Sequence, residues 1–362
     1  MKQKLLVTAL GVALAGGWSV ANADVQLYGQ FDMSIDSQDV NGGGHNDINM
    51  NSNSSAIGVQ GAEDLGGGLK AIFQAEWQVD LDDSEQSKSS FNELESSPSG
   101  SNSGLVGRDQ WLGLAGGFGK LRLGTISTAY KSPAAEIDPL YRTSLESRRI
   151  GLQSGLHSGK GEDGQGRATN TVRYDSPKFG GVSLDATYTL DNNTNDGEQD
   201  NPYSVGAQFK NDMFYAFASY ITSDHGPRNS ATEAGAQINL GNMFDVRAIY
   251  EWDGGLITAT GPGIAADGFN AGATSSHGAG SGADDGADVW SVGGDVSLGN
   301  NMLSVDYGQG TGNDAIDEYK TWRLAAQHMF SKQTKVYVGW ANINPPHQVE
   351  DDIISLGLRH NF

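Results

Sequence analysis

The stretch Ile353-Ile354-Ser355-Leu356-Gly357-Leu358-Arg359-His360-Asn361-Phe362 decides the fold. Ile354, Leu356, Leu358, His360 and Phe362 alternate with Ile353, Ser355, Gly357, Arg359 and Asn361. The first phase is mostly apolar and the second mostly polar. A period of two belongs to a β-strand whose faces meet different surroundings. The pattern runs on to an aromatic residue, Phe362. Such a strand needs a partner for its backbone groups, and the partner must come from elsewhere in the chain.

The same alternation recurs upstream. Val25, Leu27, Gly29, Phe31, Met33 and Ile35 alternate with Gln26, Tyr28, Gln30, Asp32, Ser34 and Asp36. Leu69 to Val79, Val182 to Leu190 and Phe244 to Trp252 repeat it. Short turns fall at Glu63–Gly67, Gly116–Gly119, Ser176–Gly181, Asn211–Asp212, Gly241–Asn242, Gly299–Asn300 and Ser331–Gln333. Long polar connections fall near 37–54, 81–105, 128–168, 191–201, 254–285 and 344–350, with shorter ones near 223–231 and 311–317. Short and long alternate strictly, which predicts sixteen strands with both termini on the short-turn side. Strands of about ten residues with that loop asymmetry are the signature of an all-β, antiparallel transmembrane barrel. In lipid every backbone N–H and C=O must be paired internally, so the sheet must close. Closure supplies the missing partner: the terminal stripe is expected to pair with Val25 to Asp36.

A β-sandwich also alternates, with its apolar face packed on a second sheet. The start of the chain separates the two. Lys2 and Lys4, the apolar run Leu5 to Val20 and Ala21-Asn22-Ala23 read as a secretory signal peptide over 1–23, which leaves 24–362 as one barrel domain. No later run reaches the roughly 18 apolar residues a membrane helix needs. Trp77, Trp252, Trp290, Trp322 and Trp340 fall near strand ends, where interfacial girdles form.

Composition narrows the function. The formal charge is −21, and removing Lys2 and Lys4 brings it to −23. Nucleic-acid binding depends on Lys and Arg neutralising phosphates, so nucleic acid is not an expected partner. With no cysteine there is no disulfide or thiol nucleophile. The seven His lack metal-ligand spacing, and the acidic runs Asp82-Asp83, Asp284-Asp285 and Glu350-Asp351-Asp352 lack that of a calcium loop. No cofactor is implied. A barrel hydrolase would need a Ser–His pair, and no Ser is spaced to serve His328 or His360. The chain does not read as an enzyme.

Four segments carry a family resemblance. Ser55 to Ala71, with Gly61-Ala62-Glu63-Asp64-Leu65-Gly66 at its centre, resembles the second hairpin of Gram-negative general porins, closest to the neisserial and β-proteobacterial type. Trp111-Leu112-Gly113-Leu114 through Gly117-Phe118-Gly119-Lys120-Leu121-Arg122-Leu123-Gly124 resembles their strand–turn–strand before the constriction loop. Val172-Arg173-Tyr174-Asp175-Ser176-Pro177 resembles the strand and turn after it, and Gly357 to Phe362 resembles their ending. The resemblance implies a homotrimer set among outer-membrane lipid and lipopolysaccharide, and passive diffusion of ions and small hydrophilic solutes. A solute-selective channel of the same fold is the alternative. It implies that the third long loop, about 128–168, folds inward and narrows the channel. It also implies that Phe362 is read by the barrel assembly machinery.

In that family, acidic residues on the inward loop face a basic wall. The matching loop positions are Glu136, Asp138 and Glu146, with Arg142, Arg148 and Arg149 as further loop charges. On the wall, Arg108 and Arg173 match, and Arg122, between Leu121 and Leu123, and Gln30 have lumen parity. The chain departs from the pattern where the family usually carries cations: Ala56, Gln60, Ala115 and Thr125. Together with the acids in polar phase (Asp32, Glu76, Asp185, Asp245, Glu251, Asp295 and Asp306), this predicts a pore that prefers cations or neutral solutes.

Overall fold

The computed structural model describes residues 24–39, 47–82, 105–158, 160–161, 166–190, 201–222, 230–241, 243–257, 263–265, 268–270, 288–311, 318–344 and 351–362. The expected signal peptide and most of the acidic runs lie outside them. Among the described residues, sixteen antiparallel strands close on themselves. They are β1 Asp24–Asp39, β2 in two pieces (Asp47–Ser52 and Ala56–Gly66), β3 Leu69–Val79, β4 Leu105–Gly116 and β5 Gly119–Ser127. After a long connection follow β6 Arg167–Asp175, β7 Val182–Thr189, β8 Tyr203–Lys210, β9 Phe214–Thr222, β10 Ser230–Leu240 and β11 Phe244–Gly254. The last are β12 Val289–Leu298, β13 Asn301–Gly310, β14 Tyr319–Met329, β15 Thr334–Asn344 and β16 Asp351–Asn361.

The seam is the terminal stripe. Gln30 to Asp39 of β1 pair with Asn361 to Asp352 of β16, while Asp24 to Gln30 pair with the second piece of β2. Phe362 extends the seam: its N–H donates to Gly29 O and the Gly29 N–H donates to Phe362 O, both at 3.0 Å. Its ring lies over Gly29, where any Cβ would collide with it, and meets Phe31 edge-on at 5.1 Å. Ile354, Leu356 and Leu358 point outward at 53–55 % exposure, while Ile353 and Ser355 are fully buried on the inner face.

The first long connection is shorter than its composition suggests. Residues 37–54 read as polar loop, yet β1 continues to Asp39 and Asp47–Ser52 pair with Gln38 to Met33. The alternation is present but masked by Asn and Ser. Ile48 and Met50 point out, while Asn51 turns in and donates to Asp36 at 2.7 Å. One extra residue at Asn53–Ser55 separates the two pieces of β2, with Ser54 at φ 51°. That is a β-bulge, which bends a strand and lets its register reset.

Aromatics band the outer face at both ends. Tyr188, Tyr203, Trp252 and Trp322 are exposed near the long connections, and Phe118, Phe179, Phe244 and Phe330 near the short turns. Tyr307 sits between Trp290 at 5.5 Å and Trp322 at 4.5 Å. Of the expected Trp girdle residues, Trp252 and Trp322 are exposed on the outer surface, where amphipathic rings suit a membrane interface.

Candidate functional site in the barrel interior

The segment 128–158 between β5 and β6 is built like a small core and seated on the wall's inner phase. It opens with a short helix, α1 Lys131–Glu136. Leu140, Leu145, Ile150 and Leu152 are fully buried with Tyr319, Tyr337, Ala341, Ile343 and Ile353 of β14 to β16. A second cluster joins Tyr130 and Leu156 to Ile221, Ala231 and Val289, and a third joins Ala134 and Ile137 to Tyr215, Phe217 and Ile249. Wall glycines make room for it. A Cβ at Gly339 would sit 2.5 Å from Leu145 Cδ1, and one at Gly308 would sit 2.9 Å from Leu152 Cδ2.

Polar contacts pin the same segment. Arg323, fully buried, donates to Asp138 Oδ1 at 2.9 Å, to Asp306 Oδ2 at 2.8 Å and to Leu145 O at 2.8 Å. Arg359 donates to Asp32 at 2.6 Å and to the carbonyls of Tyr141 and Arg142 at 3.0 and 2.7 Å. Ser144 donates to Asp36 at 3.2 Å. Tyr130 donates to Glu251 at 3.0 Å, and Ser154 bonds the same carboxylate through its N–H and its hydroxyl. His157 Nε2 stands 3.2 Å from Glu251 and 3.5 Å from Glu233.

The loop acids do not stand opposite a bare basic wall. Glu136 pairs with Lys210 at an exposed site. Asp138 is buried on Arg323 and also accepts the N–H groups of Leu140 and Ser147. Glu146 is buried within the loop between Arg148 at 2.9 Å and Arg149 at 2.8 Å. Burial disfavours its charge, but the two guanidiniums outweigh burial and hold the carboxyl down at about 2. Burial, reinforced by Arg148 and Arg167, pushes the Lys131 ammonium well below its ordinary range. Arg142 adopts φ 62°, a left-handed conformation that costs a non-glycine residue strain. Its guanidinium reaches across to Glu76 of β3 at 3.2 Å.

The wall cations are paired as well. Arg108 donates to Glu76 at 2.7 Å and Gln78 at 3.0 Å. Arg122 pairs with Asp175 at 2.5 Å and lies 5.1 Å over the Trp111 ring. Arg173 binds Asp175 and Asp185 at 3.0 and 3.1 Å, and the carbonyls of Ser127 and Thr128. Ala56 is buried, Gln30 half-buried and Gln60 exposed. Arg247, Arg323 and Arg359 were not among the sequence candidates. Parity alone could have found all three: Arg247 stands between outward Val246 and Ala248, Arg323 between outward Trp322 and Leu324, and Arg359 between outward Leu358 and His360. Their targets, Asp295, Asp306 and Asp138, could not be assigned from spacing.

A closed barrel, aromatic bands at both rims and a charged interior define an outer-membrane β-barrel. The model of the Gram-negative porins matches residues 7–345, and the chain belongs to that family, a family of channel proteins rather than enzymes located in the outer membrane. The major outer membrane protein P.IB of Neisseria meningitidis serogroup A is 30 % identical over 222 residues, covering 59 % of this chain and 57 % of that protein. The P.IB protein of Neisseria gonorrhoeae is 28 % identical over 251 residues, covering 66 % and 62 %. The chain thus spans little more than half the length of these curated relatives. Among solved structures, the anion-selective porin from Comamonas acidovorans superposes with a TM-score of 0.70 at 18 % identity, over 94 % of this chain and all of that one. A variant of the Rh. blastica porin does so with a TM-score of 0.65 at 15 % identity.

Proposed function

We propose that this protein is a passive diffusion channel for ions and small hydrophilic solutes, with segment 128–168 narrowing its lumen. The observation that carries this is the seating of 128–158 on inner-phase residues from β1, β3 and β8 to β16. A segment held on so much of the circumference reduces the free cross-section without closing one arc of the wall. Arg142 of the segment, paired with Glu76 of β3, stands at the narrowed level.

The pore is proposed to prefer cations or neutral solutes. Support comes from the net charge of −21 and from Ala56 and Gln60 standing where the family pattern carries cations. It comes equally from the pairing of Arg108, Arg122 and Arg173 with carboxylates, which cancels their field at short range. The likeness to an anion-selective porin is at an identity that speaks to fold alone. Reversal potentials of single channels in a KCl gradient test this reading; a clear anion preference overturns it. Three copies per assembly, contacts with lipopolysaccharide and reading of Phe362 by the assembly machinery complete the proposal. Light scattering of the detergent-solubilised protein tests the first, with a monomeric mass as the contrary result.

A further inference from the structure

Toward the short-turn end of β1 to β4, one lateral row of the inner wall is made of neutral amides and one aromatic ring. Strand register places four inner-phase side chains in a single lateral row: Gln26 opposite Gln60, Gln60 opposite Gln74, and Gln74 opposite Trp111. Gln26 and Gln60 are exposed, and Gln74 and Trp111 are half-exposed. Laterally paired residues stand about 5 Å apart, so the row is continuous. Gln60 Nε2 donates to Gln26 Oε1 at 3.2 Å, an exposed bond that a solute can exchange for its own. The row lies two residues, or about 7 Å, from Glu76 on β3, toward the short-turn end of the barrel. Glu76 receives Arg142, so the row adjoins the narrowed level.

We infer that this row is a weak binding track for neutral polyhydroxylated solutes, sugars above all; the inference rests on the channel reading above. A primary amide offers both a donor and an acceptor without charge, which suits a hydroxyl that must do both. Two adjacent amides span about the length of a sugar ring. The Trp111 ring supplies an apolar face for the C–H side of such a ring. Arg122 lies 5.1 Å over the indole, which is half-exposed, and Asp175 balances the Arg122 charge. A charged solute would find no unpaired counter-ion along this row.

Single-channel recording of the full-length protein in planar bilayers, in KCl with maltotriose added, tests the inference. The expected result is a brief, saturable interruption of the KCl current. In Trp111→Ala the residence time of the sugar falls by roughly two- to tenfold, the range set by one aromatic contact. In the double variant Gln60→Ala with Gln74→Ala it falls as well, and in Trp111→Phe it stays close to the parent. KCl conductance reports whether each variant still forms a barrel. A parent protein that conducts KCl without saturable block, or block that survives Trp111→Ala unchanged, overturns the binding track alone. A parent that conducts no KCl overturns the channel reading itself.

Discussion

Two arcs of the same barrel obey the same alternation and do different work. Along β9 to β16 the inner phase carries Tyr215, Phe217, Ile221, Ala325, Ala341, Ile343 and Ile353, all buried under segment 128–158. Along β1 to β4 it carries the buried acids Asp36 and Glu76, which bond the loop, and nearer the short turns Gln26, Gln60, Gln74 and Trp111, which keep exposure to the interior. The outer faces of both arcs are apolar. The difference teaches that inner phase in a barrel is not one environment. One arc is a foundation that holds a loop by hydrophobic burial and buried ion pairs, and the other is the surface a solute meets.

The sharpest way to break this comparison is Arg323→Ala. Arg323 is fully buried and joins Asp306 on the wall to Asp138 and Leu145 O on the loop. Its removal leaves Asp306 with Arg247 but takes the cation from buried Asp138, and breaking a buried pair of this kind costs about 3–5 kcal/mol. We expect urea unfolding in detergent micelles at a markedly lower midpoint, and KCl currents that flicker as the loop loosens. Steady current with an unchanged midpoint would remove the loop's foundation from the argument.

The apolar half of the foundation is tested from two sides. Leu145→Ala empties a fully buried position and should cost about 2–5 kcal/mol. Gly339→Ala instead adds a Cβ 2.5 Å from Leu145 Cδ1, so the leucine must move. Overpacking of that kind costs typically 1–3 kcal/mol. Both variants should unfold earlier than the parent. If only Leu145→Ala does, the contact with Gly339 is less tight than its geometry implies.

The two arcs were not equally legible in the sequence. Alternation marks the sixteen strands because a strand between lipid and interior must change polarity every residue. It marks Arg122 and Arg173 as inner-phase for the same reason. It also made the interior look uniformly polar, and there it misleads. Phe217 and Ile249 are apolar on the inner phase because Ala134 and Ile137 arrive from a segment far away in sequence. No local pattern announces that. The Asp138–Arg323 pair joins residues 185 apart, so spacing gave Asp138 its place on the loop but not its partner. The pairing of a loop acid within the loop, Glu146 with Arg148 and Arg149, was within reach of local reading, since a tight turn brings groups two to three residues apart together.

Acid titration tests whether the loop's internal charges hold its shape. Glu146 is held at about 2 against an ordinary 4.5. A depressed carboxyl contributes stability that is complete above its ordinary value and is lost as pH falls through the folded value. The contribution is roughly 3 kcal/mol, lost between about pH 4.5 and pH 2. We expect the unfolding free energy of Glu146→Gln to fall less steeply than that of the parent across this window, with the two slopes equal above pH 5. Equal slopes below it would mean that the two guanidiniums do not stabilise the charge.

The smallest expected effect is the one that most cleanly separates the arcs. Gln60→Ala removes an exposed side chain whose one side-chain hydrogen bond among the described residues is the 3.2 Å bond to Gln26. Exposed substitutions away from caps, cavities and buried pairs change stability by no more than about 0.5 kcal/mol. The unfolding midpoint should therefore stay with the parent, as should the current noise that reports loop motion. A foundation residue cannot behave this way, because its removal leaves a void or an unpaired charge. A solute-facing residue must, because water replaces it at little cost. Should Gln60→Ala destabilise the barrel as much as Leu145→Ala, the β1–β4 arc would be a second foundation and the channel would have to run elsewhere.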